Sequence, residues 1–323
     1  MPAKATPAFW RRTPPAVFPP IMGLFGLGLA WRRAGPAFDV PAGWSDALIG
    51  AVTLLFLFLA AAYLAKLIYR PGVIIEDLRI LPGRAGLAAM TLCTMLMAAG
   101  LVPVFPETAR TLLFAAIALH GGLAALVVHA LLTGPDEQRQ VTPVWHLSFV
   151  GFIVAPLAAA PLGLVVLAKV TLYGAMIVAA GIYAISLGQL IRRDPPPPLR
   201  PLLAIHVAPL SLFGTAAHML GYGGLALLCA GLATVVLAAL LVRARYLTAT
   251  GFSPLWGAFT FPLAAYAGLM LALGGGTGGG EVFRIVGGVV LVAATLIVPA
   301  IAWRVLQLWA RGSLAVKTNA ALA

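Results

Sequence analysis

An apolar run from Phe252 to Leu273 contains Pro262 near its middle. A helix that crosses a bilayer needs roughly 20 apolar residues, so this run is long enough to span a membrane. Pro262 has no N–H group, and its ring crowds the carbonyl of Ala258, four residues earlier. In hydrocarbon, a carbonyl without a partner is tolerated only where protein or a water-filled cavity covers it. The run therefore predicts a kinked helix beside a pathway, with a proline that only assists helix packing as the alternative.

The same arrangement recurs elsewhere in the chain. Pro156 and Pro209 lie inside other apolar runs and are each followed by leucine, while Pro20 lies near the start of the first run and is followed by isoleucine. Similar breaks at intervals along a chain indicate one structural unit that is used repeatedly. The sequence therefore predicts kinked pore helices with their breaks at Pro20, Pro156, Pro209 and Pro262.

The composition excludes a soluble globular protein, because 62% of the residues are hydrophobic and only 9% are charged. We predict an all-α integral membrane protein with ten transmembrane helices in a single domain that covers residues 1–323. The predicted spans have the approximate bounds 17–31, 44–69, 85–101, 108–133, 144–160, 162–191, 202–219, 225–246, 252–273 and 281–309. The glycine-rich stretch 274–280 is predicted to be a loop.

Basic residues give the orientation of these spans. Ten spans place both termini on one side, and sixteen of the 21 Lys and Arg residues then share that side. The five on the opposite side are Arg32, Arg33, Arg110, Lys169 and Arg284. This bias places both termini in the cytoplasm. The net charge of +12 does not indicate nucleic-acid binding, because the basic residues lie at span ends and not on one aromatic-rich face.

The spans alternate in character. Odd-numbered spans are short and mostly interrupted by proline, whereas even-numbered spans are longer and straighter, except for Pro299 in the tenth. Straight apolar helices suit contact with lipid, and broken helices suit a site where protein or water satisfies their backbone. We therefore predict five helical hairpins, with an inner ring of odd helices around a central pore and an outer ring of even helices. In the third span any bend would fall at Gly86 or Gly100, and glycines 23, 26 and 28 would allow close packing of the first.

Carboxylates are expected only in loops or at span ends. Coupled transporters usually keep an ionisable group inside the membrane, so its absence here favours passive flow. The nine acidic residues are Asp39, Asp46, Glu76, Asp77, Glu107, Asp136, Glu137, Asp194 and Glu281. The five histidines show no metal-ligand spacing, and we predict neither a metal, a cofactor nor an enzyme. We interpret each histidine as a structural residue, with a ligand role as the alternative, and His206, three residues before Pro209, is the first to inspect for that alternative.

Hydroxyl groups are the remaining polar candidates for the pathway wall. We expect Thr91, Thr94, Ser211, Thr215 and Thr260 to line it, together with small residues and aromatic rings. A wall without negative charge would not concentrate cations, and the cytoplasmic excess of Arg and Lys adds a positive potential within a Debye length of about 8 Å. Both features favour anions, provided that carbonyls freed by the prolines are turned away or capped.

The ninth span carries the segment Trp256-Gly257-Ala258-Phe259-Thr260-Phe261-Pro262. With ten spans and proline-bent odd helices, this segment resembles the tellurite-resistance/dicarboxylate transporter family, the group of bacterial TehA and the plant guard-cell slow anion channel. The resemblance implies a homotrimer in the bacterial inner membrane, surrounded by lipid, with one pore in each protomer. It also implies a phenylalanine that closes the pore by excluding water, which would be Phe261, with Phe259 as the alternative.

The leading interpretation is gated, passive passage of small anions, including dicarboxylates, with tellurite resistance as an outward effect. One alternative is a ten-helix secondary exporter of metabolites or drugs with a five-plus-five inverted repeat. That architecture predicts similarity between the two halves, whereas this sequence repeats every two spans. A membrane enzyme would need a convergent polar cluster, which the sequence does not show.

Overall fold

A computed structural model describes residues 9–275 and 280–323. The described part of the chain forms helices, turns and loops without a strand. Residues 276–279 of the predicted glycine-rich loop lie outside the described residues, as does Lys4 of the charge count. The α-helices are α1 (Phe18–Phe38), α2 (Ala42–Tyr69), α3 (Val73–Arg79), α4 (Leu81–Leu101), α5 (Pro106–Thr133), α6 (Pro156–Ala159), α7 (Val165–Arg192), α8 (Val207–Met219), α9 (Gly223–Val242), α10 (Ala244–Leu247), α11 (Thr260–Gly274), α12 (Gly280–Ala310) and α13 (Ser313–Lys317).

Eight helical segments of the described chain are long and apolar enough to cross a membrane. The other two predicted spans are α1, whose apolar stretch is interrupted by Arg32 and Arg33, and a shorter broken segment, His146–Ala159. Helices also extend beyond the predicted spans. Helix α1 continues past residue 31 to Phe38, and residues 70–84, between the second and third predicted spans, contain α3, which buries Val73, Asp77 and Leu78.

The recurring prolines lie at junctions between two kinds of helix. Each follows a segment of 3₁₀-helix and falls within the first three residues of an α-helix, where a missing N–H costs least because it has no intrahelical acceptor. The predicted kinks are therefore changes of helix type and not bends within one α-helix. The 3₁₀ segments are Pro15–Val17 before Pro20, Gly151–Val154 before Pro156, Pro197–His206 before Pro209 and Pro254–Phe259 before Pro262. A π-helical turn, His146–Val150, precedes the second of them.

Burial divides the spans into two groups. Between 72% and 83% of residues are buried in the apolar windows of α4, segment 197–219 and segment 254–274. In the windows of α2, α5, α7, α9 and α12 the buried share is only 28–33%. Helices of the first group are covered on nearly every side, whereas those of the second bury one narrow stripe. The exposed helices also pack against the preceding helix in the chain: α2 on α1, α5 on α4, α7 on α6, α9 on α8 and α12 on α11.

Glycines allow the buried helices to approach closely, which confirms the prediction for α1. A Cβ on Gly23 would lie 2.3 Å from the Cβ of Thr260, and one on Gly26 would lie 2.9 Å from the ring of Phe261. A Cβ on Gly28 would meet Ile49 at 2.6 Å. Helix α4 is one uninterrupted α-helix across Gly86 and Gly100, and both glycines serve packing.

Replacing Gly86 by alanine should destabilise the protein. A Cβ there would lie 2.1 Å from the carbonyl oxygen of Pro15, and backbone atoms cannot move aside cheaply. Overpacking of this kind costs roughly 1–3 kcal/mol. The matched control is Gly121→Ala on α5, where nothing lies within 4 Å, so the better helix propensity of alanine should leave stability unchanged or raised. Thermal unfolding in detergent measures both, and equal melting temperatures would contradict the close contact.

Candidate functional site

A cavity of about 70 Å³ lies among the N-terminal parts of the buried, proline-bearing segments. Every one of these segments contributes to its wall, since α1, α4, residues 146–154, residues 202–212 and residues 254–262 all supply lining residues. Five of those residues are prolines: Pro19, Pro82, Pro209, Pro254 and Pro262. Prolines line the cavity because the α-helices around it begin there, either directly or after a 3₁₀ segment, and prolines occupy their first turns. Of the four predicted kink prolines, Pro20 and Pro156 are not among the lining residues.

Phe261 lies on the cavity wall and is only 5% exposed. Its ring rests on Gly26 of α1, where the absence of a Cβ leaves room for it. Phe259 does not line the cavity, and its ring packs edge-on against Trp256 with centroids 5.7 Å apart. Of the two aromatic candidates, Phe261 is therefore the one next to the cavity.

The five candidate hydroxyls are not among the cavity-lining residues. Each donates to a carbonyl three or four residues earlier in its own segment, as serine and threonine commonly do in apolar helices. The distances to these carbonyls are 2.9 Å from Thr91 to Ala88, 3.3 Å from Thr94 to Met90, 2.8 Å from Ser211 to Val207, 2.9 Å from Thr215 to Ser211 and 2.7 Å from Thr260 to Gly257. All five hydroxyls are thus engaged within their own segments, and their place on the pathway wall stays a prediction.

One polar side chain, that of His146, lines the cavity, and it belongs to a buried histidine pair. His146 lines the cavity, and its Nε2 lies 3.0 Å from Nδ1 of His206. The hydroxyl of Tyr183 donates to the carbonyl of His206 at 2.6 Å, which links the pair to α7. Nδ1 of His146 has no hydrogen-bond partner in the described part of the chain. Among the described residues, no three His, Cys, Asp or Glu side chains come together.

The sequence singled out His206 but did not pair it with His146. The two are 60 residues apart, with His146 ten residues before Pro156 and His206 three residues before Pro209. Because the two histidines stand at different distances from their prolines, no shared spacing in the sequence pointed to the pair.

A second polar cluster, away from the cavity, was also missed. Lys66 and Asp77 form an ion pair with Nζ–Oδ2 3.1 Å, and both side chains are fully buried. Oδ2 of Asp77 also accepts from the hydroxyl of Tyr63 at 3.0 Å, and Oδ1 accepts from the amide of Ala321 at 2.9 Å. Lys66 donates to the carbonyl of Thr13 as well. Asp77 lies in α3, between two spans, and is not on the cavity wall. None of the residues that line the cavity is a carboxylate.

Residues 12–306 match the family described as SLAC1, voltage-dependent anion channel. No curated protein matches the chain. The matched range includes every segment that lines the cavity, together with the histidine pair and the Lys66–Asp77 ion pair.

Proposed function

The chain belongs to the SLAC1 family of voltage-dependent anion channels, which is the predicted tellurite-resistance/dicarboxylate transporter group, and on that premise we propose a gated, passive anion pathway of the tellurite-resistance and C4-dicarboxylate type. Members of the family are multi-pass membrane channels and transporters and not enzymes, and anions are their permeants. The finer assignment, to small inorganic anions and dicarboxylates moving down their gradient, is the proposal.

The observation that carries the proposal is a cavity among broken helices with no carboxylate on its wall. A fixed negative charge there would attract cations and repel anions, and a membrane-embedded acid is the usual coupling group of proton- or sodium-driven carriers. Apart from His146 the lining side chains are apolar, so the wall has no carboxylate that would attract cations or couple transport to a proton or sodium gradient.

Phe261 is proposed as the gate. Its ring lies on the cavity wall, is almost fully buried and rests against Gly26 of α1. An apolar ring in a narrow, uncharged passage excludes water, and an ion cannot pass a dry constriction. Rotation or displacement of this ring would open the pathway.

The proposed architecture is ten spans in five hairpins, with the buried helices as an inner ring and the exposed helices facing lipid. The burial difference between the two groups and the packing of each exposed helix on its predecessor support this arrangement. We further propose a homotrimer in the bacterial inner membrane with both termini in the cytoplasm, which rests on the family and on the distribution of Lys and Arg.

Flux through the purified protein in liposomes tests this function. We expect nitrate, chloride and succinate to move down their own electrochemical gradients, without a requirement for a proton or sodium gradient and without potassium flux. Empty liposomes give the background. Transport that depends on a proton or sodium gradient would favour the secondary exporter instead, and potassium flux would contradict anion selectivity.

A further inference from the structure

Arg33 is a guanidinium inside the helix bundle without an acidic partner. It lies in α1 and is half-buried, and it makes no hydrogen bond or ion pair with any described residue. Its Nη1 lies against Gly268 of α11, where an added Cβ would be only 2.7 Å away. The side chain therefore occupies the space that a larger residue at position 268 would fill.

The other basic residues predicted on the same side of the membrane are all engaged. The partners are Asp46 and the carbonyl of Gly100 for Arg32, Glu107 for Arg110, Glu281 and the carbonyl of Ala37 for Arg284, and the ring of Tyr222 for Lys169. Of the five basic residues predicted on this side, Arg33 alone has no acidic, carbonyl or aromatic-ring partner among the described residues. Burying part of a charge without a counter-charge is unfavourable, so a partner from solution would relieve the cost.

The position of Arg33 relative to Phe261 follows from the packing of α1 on α11. Gly26 contacts the Phe261 ring, and Arg33 contacts Gly268, so each helix advances by seven residues between the two contacts. Seven residues return to nearly the same helix face and rise by about 10 Å. Arg33 thus lies on the face of α1 that meets Phe261, about 10 Å farther from the N-terminal ends of the helices.

We propose that Arg33 forms an anion-binding site on the far side of Phe261, an inference that rests on the proposed anion pathway and adds a ligand site to it. The cavity and its histidine pair lie on one side of the ring, and the guanidinium lies on the other. The planar guanidinium donates two parallel N–H groups, which matches planar oxyanions such as nitrate or a carboxylate better than a spherical ion. An anion that has passed the ring, or that approaches from the opposite mouth, would pause there.

Nitrate binding to the purified protein tests the site without relying on flux. Nitrate should raise the melting temperature in a saturable way when it replaces gluconate at constant ionic strength, because a ligand of the folded state stabilises it. Losing a charged hydrogen-bonding partner weakens binding by about tenfold or more, so Arg33→Ala should raise the half-saturating nitrate concentration by that factor. Arg33→Lys keeps the positive charge but loses the two parallel N–H donors of the guanidinium, so its half-saturating nitrate concentration should lie between those of the wild type and Arg33→Ala.

Two further variants make the test specific. Gly268→Ala should shift nitrate dependence in the same direction as Arg33→Ala, since the new Cβ displaces the guanidinium. Arg110→Ala, which removes an exposed arginine paired with Glu107, should leave the nitrate titration unchanged. A nitrate titration of Arg33→Ala identical to the wild type would overturn the site, even if the protein conducts anions. If the wild type binds nitrate through Arg33 yet passes no anion, the site stands and the channel function fails.

Discussion

Replacing Phe261 by alanine should raise anion flux by about tenfold or more. The ring is nearly fully buried and lines the cavity, so its removal opens space where water and an ion can remain. Lowering a barrier by about 1.4 kcal/mol already gives a tenfold rate, and relief of a dry constriction is expected to exceed that. The measurement is initial nitrate efflux from liposomes that contain equal amounts of each folded protein.

Phe259→Ala is the matched control. It removes the same ring two residues earlier, from a side chain that packs on Trp256 and does not line the cavity, so its flux should stay at the wild-type level. A rise in Phe259→Ala with no change in Phe261→Ala would move the gate to Phe259. Equal flux in both variants and the wild type would remove the aromatic gate altogether. Melting temperatures show whether either variant has simply lost its fold.

Replacing Asp77 by alanine should destabilise the protein by about 3–5 kcal/mol, because it leaves Lys66 buried without its counter-ion. The same change removes the acceptor of the Tyr63 hydroxyl and of the Ala321 amide, so it also breaks one of the hydrogen bonds that hold the C-terminal segment. Thermal and denaturant unfolding in detergent report the loss.

The double variant Lys66→Met with Asp77→Leu separates charge from packing. Apolar residues of similar volume can replace a buried ion pair with little cost, so the double variant should regain most of the stability lost in Asp77→Ala. Asp136→Ala is the control at an exposed ion pair with Arg139, and it should change stability little. A double variant as unstable as Asp77→Ala would show that the site depends on its hydrogen bonds and not on the charge balance.

The sequence predicted the helical class and the recurring breaks because both are local properties. Apolar runs report membrane spans directly, and a proline restricts its own backbone whatever surrounds it. The sequence did not predict that each break is a change from 3₁₀-helix to α-helix. The 3₁₀ segments before Pro209 and Pro262 depend on how the helices meet around the cavity.

Side-chain partners were harder to predict because they form between distant positions. Asp77 was expected in a loop or at a span end, yet it is buried by contacts with Tyr63, Lys66 and the backbone near the C-terminus. The five hydroxyls were expected on the pathway wall, and each donates to a carbonyl of its own segment. That local hydrogen bond is available to any serine or threonine in a helix, so the sequence pattern by itself does not place these side chains on a wall.

The apolar wall determines what an ion meets in the cavity. Since every lining side chain except His146 is apolar, and the nearby hydroxyls of Thr260 and Ser211 donate to carbonyls of their own segments, the protein offers few groups that could replace an ion's hydration shell. An anion must then keep its own water or pay to shed it. We therefore expect permeability to follow the ease of dehydration, with large, weakly hydrated anions crossing faster than small, strongly hydrated ones such as fluoride.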